Sequence, residues 1–245
     1  CRLDHQEIGW DEARNVDVAR RPLAAIAAAP ELDIHPPVYF YLLHGWLSAA
    51  GLRHATLLGD QAFTIRFLSS WFGVLLAPLM YALGRRLGGR WVGLGAALGA
   101  AFLPFLLGEA QEARMYTVML VWLAAAGVAL AGATAWPRGP GRRKQAAAWG
   151  LAALFSALAI LTHYAALFAL VGLWGWALVW ALTGGRERAW ARLRTVLLAG
   201  LATALMCLPG LPAALRQIPG YGNPNLVVPP VGAYLAELAR VYGVG

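Results

Sequence analysis

Charge is scarce in this chain. Asp, Glu, Lys and Arg together make up 13% of its residues, where a soluble domain carries about a quarter. Apolar residues reach 60%, and the mean hydropathy is +0.58. The shortage leaves six runs without Asp, Glu, Lys or Arg: 67–84, 91–108, 115–136, 145–162, 164–185 and 195–215. Each suits a bilayer core ~30 Å thick, which a helix of roughly 17 to 25 apolar residues crosses. A large soluble helical protein is excluded, because most of its helices would need a polar face and these runs are apolar all round. Cysteine is also sparse. Cys1 and Cys207 exclude a disulfide framework. The chain opens on Cys1 with neither Met nor a signal-peptide pattern, so a piece of a longer protein is expected.

What charge there is lies unevenly. The net balance is +8, which in another chain would suggest nucleic acid. Here eleven of the twenty basic residues fall in the linkers 85–90, 137–144 and 186–194, with Glu187 as the sole acid among them. That is the positive-inside pattern. It puts those linkers in the cytoplasm and excludes a nucleic-acid partner. Residues 1–66, the linker 108–114, the turn at His163-Tyr164 and the tail from Arg216 then face outside.

The expected organisation has three parts. Residues 1–66 form an extracytoplasmic loop with juxtamembrane helices. Residues 67–215 hold six transmembrane helices. Residues 216–245 form a second outer segment, with a Gly/Pro/Asn-rich loop at 219–224 and a short amphipathic helix over 231–242. The apolar stretch 36–52 reads as an interfacial or re-entrant helix, with a true span as the alternative.

Candidate chemistry gathers in the outer loops. Asp11 and Glu12 stand together, either as an ordinary acidic helix start or as a catalytic carboxylate; a general base must lie within hydrogen-bond reach of the proton it takes. Glu109, Glu112 and Arg114 share one short linker. Arg suits bidentate phosphate contact, and a Glu there can orient substrate or share a metal with Asp11. His35 and His163 are candidates for phosphate or metal contact. Two separated histidines are a weak metal signal beside HExxH or paired CxxC.

The ordered motifs carry a resemblance. Asp11-Glu12 is followed by His35-Pro36-Pro37-Val38-Tyr39-Phe40, then by Phe63-Thr64-Ile65-Arg66-Phe67-Leu68-Ser69 at the opening of a span. Gly84-Arg85-Arg86-Leu87-Gly88-Gly89-Arg90 separates two spans. Gln111-Glu112-Ala113-Arg114-Met115-Tyr116 and Thr162-His163-Tyr164 complete the series. The set resembles the membrane glycosyltransferases of the C-type (GT-C) fold, in particular the bacterial branch related to protein O-mannosyltransferases and lipid A aminoarabinose transferases.

That resemblance implies an all-α, multi-spanning bundle in the bacterial inner (plasma) membrane, with its active site outside the cytoplasm. It implies a polyprenyl-phosphate-linked sugar as donor and inversion at the sugar carbon during transfer to a hydroxyl acceptor. Asp11 becomes the expected base, with Glu12 and Glu112 in the catalytic set. Arg114, His163 and Arg66 are expected to hold the donor phosphate. Glu109, His35 and Tyr164 are candidates for acceptor or metal contact, and a divalent cation is a candidate cofactor. Family members begin with a helix before the Asp-Glu motif and continue past the equivalent of Gly245. The competing expectation is a non-catalytic membrane subunit or scaffold derived from the same family. A transporter is disfavoured, because it would place ionisable groups near the midplane.

Overall fold

Helices carry the architecture of the computed structural model, which describes residues 3–4, 7–29, 32, 35–54, 61–135, 141–183, 185–219 and 229–243; no strand occurs among the described residues. In chain order they are α1 (Trp10–Arg20), α2 (Leu23–Ile26), α3 (Val38–Ala49), α4 (Ala62–Phe102), α5 (Pro104–Ala110), α6 (Tyr116–Thr134), α7 (Arg142–Thr162), α8 (Ala166–Leu182), α9 (Arg186–Cys207), α10 (Leu211–Gln217) and α11 (Val231–Gly243). The chain is a multi-pass membrane protein. Long enough and apolar enough to cross a bilayer are α4, α6, α7 and the stretch Arg188–Gln217, which joins α9 to α10; α8 is apolar but shorter.

The longest helix is two. At its middle Gly88 takes φ −142° and Gly89 takes φ +86°, a left-handed value that residues with a Cβ avoid. The chain reverses there. The runs 67–84 and 91–108 become antiparallel arms of one hairpin. A Cβ built on Gly84 would come 2.9 Å from the Gly93 Cα, and one built on Gly93 would come 2.7 Å from the Tyr81 carbonyl oxygen. These are backbone atoms, so nothing flexible can yield. Gly93→Ala is expected to destabilise the protein by about 1–3 kcal/mol, the usual cost of overpacking. Gly95→Ala, with nothing within 4 Å of its Cβ position, serves as the control in a thermal unfolding series in detergent. Equal shifts in the two variants would overturn the close-contact account.

The second arm stops at Leu103 because Pro104 restricts the preceding residue and lacks an N–H. Then α5 continues toward the start of the first arm, where Ser70 Oγ donates to the Ala110 carbonyl at 2.6 Å. From the segment 111–115 the chain runs away along α6, the helix at the centre of the bundle, against which α4, α7 and α8 pack. Its Ala126, Leu130 and Ala133 are fully buried, and Ala152, Ala153 and Ala157 of α7 are nearly so. Small side chains let backbones approach closely, which substitutes for the hydrophobic drive that lipid removes. Large apolar side chains such as Phe168, Val171 and Leu197 point outward instead.

The alternation of direction sorts the charge. Arg85, Arg86 and Arg90 at the α4 turn share one end of the bundle with the first turns of α7 and α9: Arg86 donates to the Val128 carbonyl of α6 at 2.7 Å, Gln145 of α7 donates to the Ala133 carbonyl of α6 at 3.0 Å, and Arg142 of α7 lines one cavity with Arg188 of α9. The sequence suggests a start at residue 145 for α7, but the helix begins at Arg142 behind Gly141. Terminal basic side chains can remain helical there while their heads reach for water.

At the opposite end α1, α2 and α3 make a cap on α4. The twelve residues of α3 extend about 18 Å at ~1.5 Å per residue, short of a bilayer. Its Tyr39, Phe40, Leu43 and Leu47 are buried in one cluster with Val16, Val18 and Ile26. Trp46 Nε1 donates to the Thr64 carbonyl at 2.7 Å, and Arg20 donates to the Leu52 carbonyl at 2.9 Å. At twelve residues the stretch is too short to be counted among the candidate spans. The amphipathic helix expected over 231–242 is α11; the loop expected at 219–224 lies, from residue 220 onward, outside the described residues.

Candidate active site at the capped end

Glu12 organises this end from beneath. It sits in the first turn of α1 and accepts from the Gly9 N–H at 2.9 Å, the reach-back that an acidic third residue gives a helix start. The same carboxylate takes both prongs of Arg66, Nε to Oε1 at 2.8 Å and Nη2 to Oε2 at 2.6 Å. It also accepts from the Ala113 N–H at 2.8 Å. Arg66 further donates to the carbonyls of Leu3 at 2.7 Å and Glu7 at 2.9 Å. Both residues are buried, Glu12 at 4% and Arg66 at 3% exposure. Burial alone would raise the Glu12 carboxyl pKa, but its donors, Arg66 first, hold it below the ordinary 4.5. Asn15 adds a bond to the Ala113 carbonyl at 3.0 Å. The result is a clamp that fixes α1, α4 and the segment 111–115 to one another.

Two residues expected in the reacting set are thus engaged elsewhere. Glu12 and Arg66 face each other under the surface, and their bonds hold backbone. The sequence places them beside Asp11 and at a span opening, where both readings are open; only the fold reveals that they meet across 54 residues.

Asp11, next on the helix, points the other way and is half-exposed. Arg114 lies 3.4 Å from its Oδ2 and 3.4 Å from Glu112 Oε2. Arg114 also donates to the Tyr116 hydroxyl at 3.0 Å and covers that ring at 4.9 Å. Burial would lower the Arg114 pKa, yet Tyr116, Asp11 and Glu112 carry it above its ordinary value. The backbone below is pinned by Ser69 Oγ donating to the Arg114 carbonyl at 3.0 Å. Arg114 therefore occupies the space between the two carboxylates where a shared divalent cation was one candidate, so the pair as arranged does not fit a joint metal ion. Among the described residues no three His, Cys, Asp or Glu side chains gather in a ligating group.

The cluster continues through rings. Tyr116 packs on His163 with centroids 5.5 Å apart, and His163 meets His35 edge-on at 5.1 Å. The Ala165 N–H donates to His163 Nδ1 at 3.1 Å. Burial first, then His35 and Arg114, push the His163 pKa down to about 4. At neutral pH it is an uncharged ring whose Nε2 carries the proton. His35 shares a contact with the Leu32 carbonyl through Nδ1 at 3.2 Å. Tyr164 donates to Gln217 Oε1 at 2.9 Å, and Gln217 Nε2 donates to the His35 carbonyl at 3.4 Å.

Glu109 belongs to the last turn of α5, not to a free loop. Its Oε2 is buried without a hydrogen-bond partner among the described residues. Burial, and after it Glu112, raise the Glu109 carboxyl pKa above 4.5.

The structure therefore joins Asp11, Glu112 and Arg114 directly and reaches His163 and His35 through Tyr116. Tyr164 enters by way of Gln217. Sequence reasoning missed Tyr116 and Gln217 as members. An aromatic two residues past Arg114 at a helix start is a signal for the first. For Gln217, the hint is an amide at the end of an otherwise apolar segment.

An apolar groove of about 710 Å³ runs down the bundle between both arms of α4, α5, α6 and α8. Leu103, Leu106 and Leu120 line its upper part, each within about two turns of Glu109 or Tyr116.

The fold has a solved counterpart. The crystal structure of ArnT from Cupriavidus metallidurans in the apo state superposes with a TM-score of 0.62 at 17% identity, over 98% of this chain and 44% of that one. The chain thus spans less than half the length of that protein. No curated protein matches the sequence. The family described as dolichyl-phosphate-mannose-protein mannosyltransferase matches residues 35–220, from the residue before α3 to just past α10, with Asp11 and Glu12 outside the matched range. With three quarters of its length so matched, an all-α membrane bundle of the GT-C type behind it and the polar cluster at one end, the chain belongs to the dolichyl-phosphate-mannose-protein mannosyltransferase (PMT) family.

Proposed function

We propose that the protein transfers a hexose or pentose from a polyprenyl-phosphate-linked donor to a hydroxyl acceptor, with inversion, at the extracytoplasmic face of the bacterial inner membrane. The observation that carries this reading is Arg114 held between Asp11 and Glu112, with an apolar groove running down the bundle from the neighbouring turns of α5 and α6 at Leu103, Leu106 and Leu120. A lipid-linked sugar phosphate needs both halves of that arrangement. The groove takes part of the isoprenoid chain, and Arg114 takes the phosphate. The basic residues at the other end of the bundle support this orientation, since cytoplasmic ends of membrane proteins are enriched in Lys and Arg.

The reaction is one displacement. The acceptor oxygen attacks the sugar carbon and its proton passes to Asp11. The bond from that carbon to the phosphate oxygen breaks, and polyprenyl phosphate leaves with the electron pair. Arg114 gives up its long contact with Asp11 to bind the phosphate, which frees the carboxylate for the acceptor. His163, being neutral, donates through Nε2 rather than acting as a second cation. Glu112 orients Arg114, Glu109 offers its unpartnered oxygen to the acceptor, and His35 and Tyr164 support the rim. Glu12 and Arg66 act as the clamp below.

The test is transfer by protein in proteoliposomes supplied with polyprenyl-phosphate sugars, read as product and its anomeric configuration. Arg114→Ala is expected to lower kcat/KM by about 100-fold, the scale of removing one donor to a developing negative charge. Arg114→Lys should retain part of the activity, since it keeps the charge but not the fork. Absence of turnover by the wild-type protein with both hexose and pentose donors would overturn the enzymatic reading in favour of a scaffold.

A further inference from the structure

A second cavity lies at the other end of the bundle and takes no part in the reaction proposed above. It measures about 740 Å³ and is walled by the first turns of α7 and α9 and the last turn of α8. Arg142, Arg188, Arg192 and Arg194 line it, with Trp149 and Trp180. None of its lining residues among those described is acidic.

One arginine is built into the wall. Arg192 donates to the Trp180 carbonyl at 3.2 Å and stacks over the Trp180 ring at 4.6 Å. Trp180 in turn packs on the buried Trp149, with centroids 5.9 Å apart. The other three arginines surround this floor. The N-termini of α7 and α9 add their positive dipole ends. Four like charges in one cavity repel one another, and an anion relieves that repulsion. Arginine forks match phosphate oxygens.

A neighbouring groove says what kind of anion. It measures about 540 Å³ and shares Ala191 and Arg194 with the basic cavity; Trp190, Leu193 and Leu197 supply its apolar wall. Trp190 is 70% and Leu197 62% exposed, on a helix that crosses the membrane. An anionic cavity-filler attached to an apolar chain would occupy both spaces at once, with Arg194 at the junction. Tryptophans sit at headgroup depth in membrane proteins, and basic pockets between helices at a membrane boundary take anionic lipid headgroups.

We propose that this end of the bundle is a binding site for an anionic phospholipid, its phosphate among Arg142, Arg188 and Arg194 and one acyl chain along α9. The site lies outside the sugar-transfer machinery, so its occupancy is measurable without an activity assay.

The experiment follows lipid adducts on the purified, detergent-solubilised protein by native mass spectrometry. Dioleoylphosphatidylglycerol, dioleoylphosphatidylcholine and inorganic phosphate are titrated separately. Phosphatidylglycerol should bind at least tenfold more tightly than phosphatidylcholine, and inorganic phosphate should not compete at millimolar concentration. Arg188→Ala/Arg194→Ala should weaken phosphatidylglycerol binding at least tenfold. Arg85→Ala/Arg90→Ala removes the same charge from the α4 turn and should change it less than twofold. Arg188→Lys/Arg194→Lys keeps the charge but not the fork and should retain part of the binding, between wild type and the alanine pair. Equal loss in the two alanine pairs would reduce the site to general electrostatics and overturn the proposal. Full competition by inorganic phosphate would overturn it in favour of a free-anion site.

Discussion

Asp11→Asn is expected to lower transfer about 10²- to 10⁴-fold while leaving the protein folded. The size follows from the role: a positioned general base contributes about 10²- to 10⁴-fold, and an amide at that place accepts no proton at neutral pH. The retained fold follows from the surroundings. The Asp11 side chain is 49% exposed, and its ion pairs with Arg14 and Arg114 are long, at 3.7 and 3.4 Å. Pairs of that kind contribute about 0–1 kcal/mol. A rate loss of about two or more decades beside an unfolding shift that small cannot be a stability effect. Glu112→Gln separates basicity from charge, because it removes the other carboxylate that touches Arg114. It should cost far less than Asp11→Asn. Wild-type turnover in Asp11→Asn, or equal losses in the two variants, would sink the assignment of Asp11 as base. Because Asp11 precedes the matched stretch 35–220, its role rests on the motif resemblance and on its place beside Arg114, and this measurement tests both.

Much of the fold could be read from the chain because bilayer physics leaves few options. Backbone polar groups must be satisfied within each segment, so uncharged runs of sufficient length become helices, and Gly88-Gly89 between two of them becomes a reversal. Boundaries were less legible. The runs gave α7 a start after its basic residues, whereas Arg142, Arg143 and Lys144 all lie within the helix. The absence of charge marks the apolar core of a helix, not its ends. The site divided in a different way. Asp11 joined the site only through the resemblance, whereas Glu112 and Arg114 were legible because one short linker forces them together. Glu12 and Arg66 were not, because a carboxylate and a guanidinium that will pair inside a fold look the same in sequence as two that will bind substrate. Only burial and partner geometry distinguish them. The same holds for His163, whose charge state depends on what surrounds the ring rather than on its neighbours in the chain.

The clamp is where the largest loss of stability is expected. Removing one member of a buried ion pair leaves the other charged, dry and unmatched, at a cost of about 3–5 kcal/mol. Arg66→Met strands the Glu12 carboxylate and also deprives the Leu3 and Glu7 carbonyls of their donor. Glu12→Gln keeps the shape but withdraws the charge from Arg66, and its amide nitrogen, a donor, cannot accept from Gly9 or Ala113, which bond different carboxylate oxygens. The double variant Glu12→Gln/Arg66→Met should be less destabilised than the sum of the single changes, because neither residue is then left with a lone charge. Chemical unfolding in detergent micelles measures all three. The pH dependence has a defined sign. The Glu12 carboxyl is held below 4.5 in the folded protein, so the unfolded state binds the proton more readily. The stabilisation is complete above the ordinary carboxylate range and falls away as pH drops through it and below, and Glu12→Gln should flatten that part of the profile. If Glu12→Gln instead unfolds like wild type at every pH while transfer is abolished, Glu12 acts on substrate and the clamp reading fails. Loss of stability with transfer falling only as far as the folded fraction does would assign Glu12 to the support beneath Asp11 and Arg114.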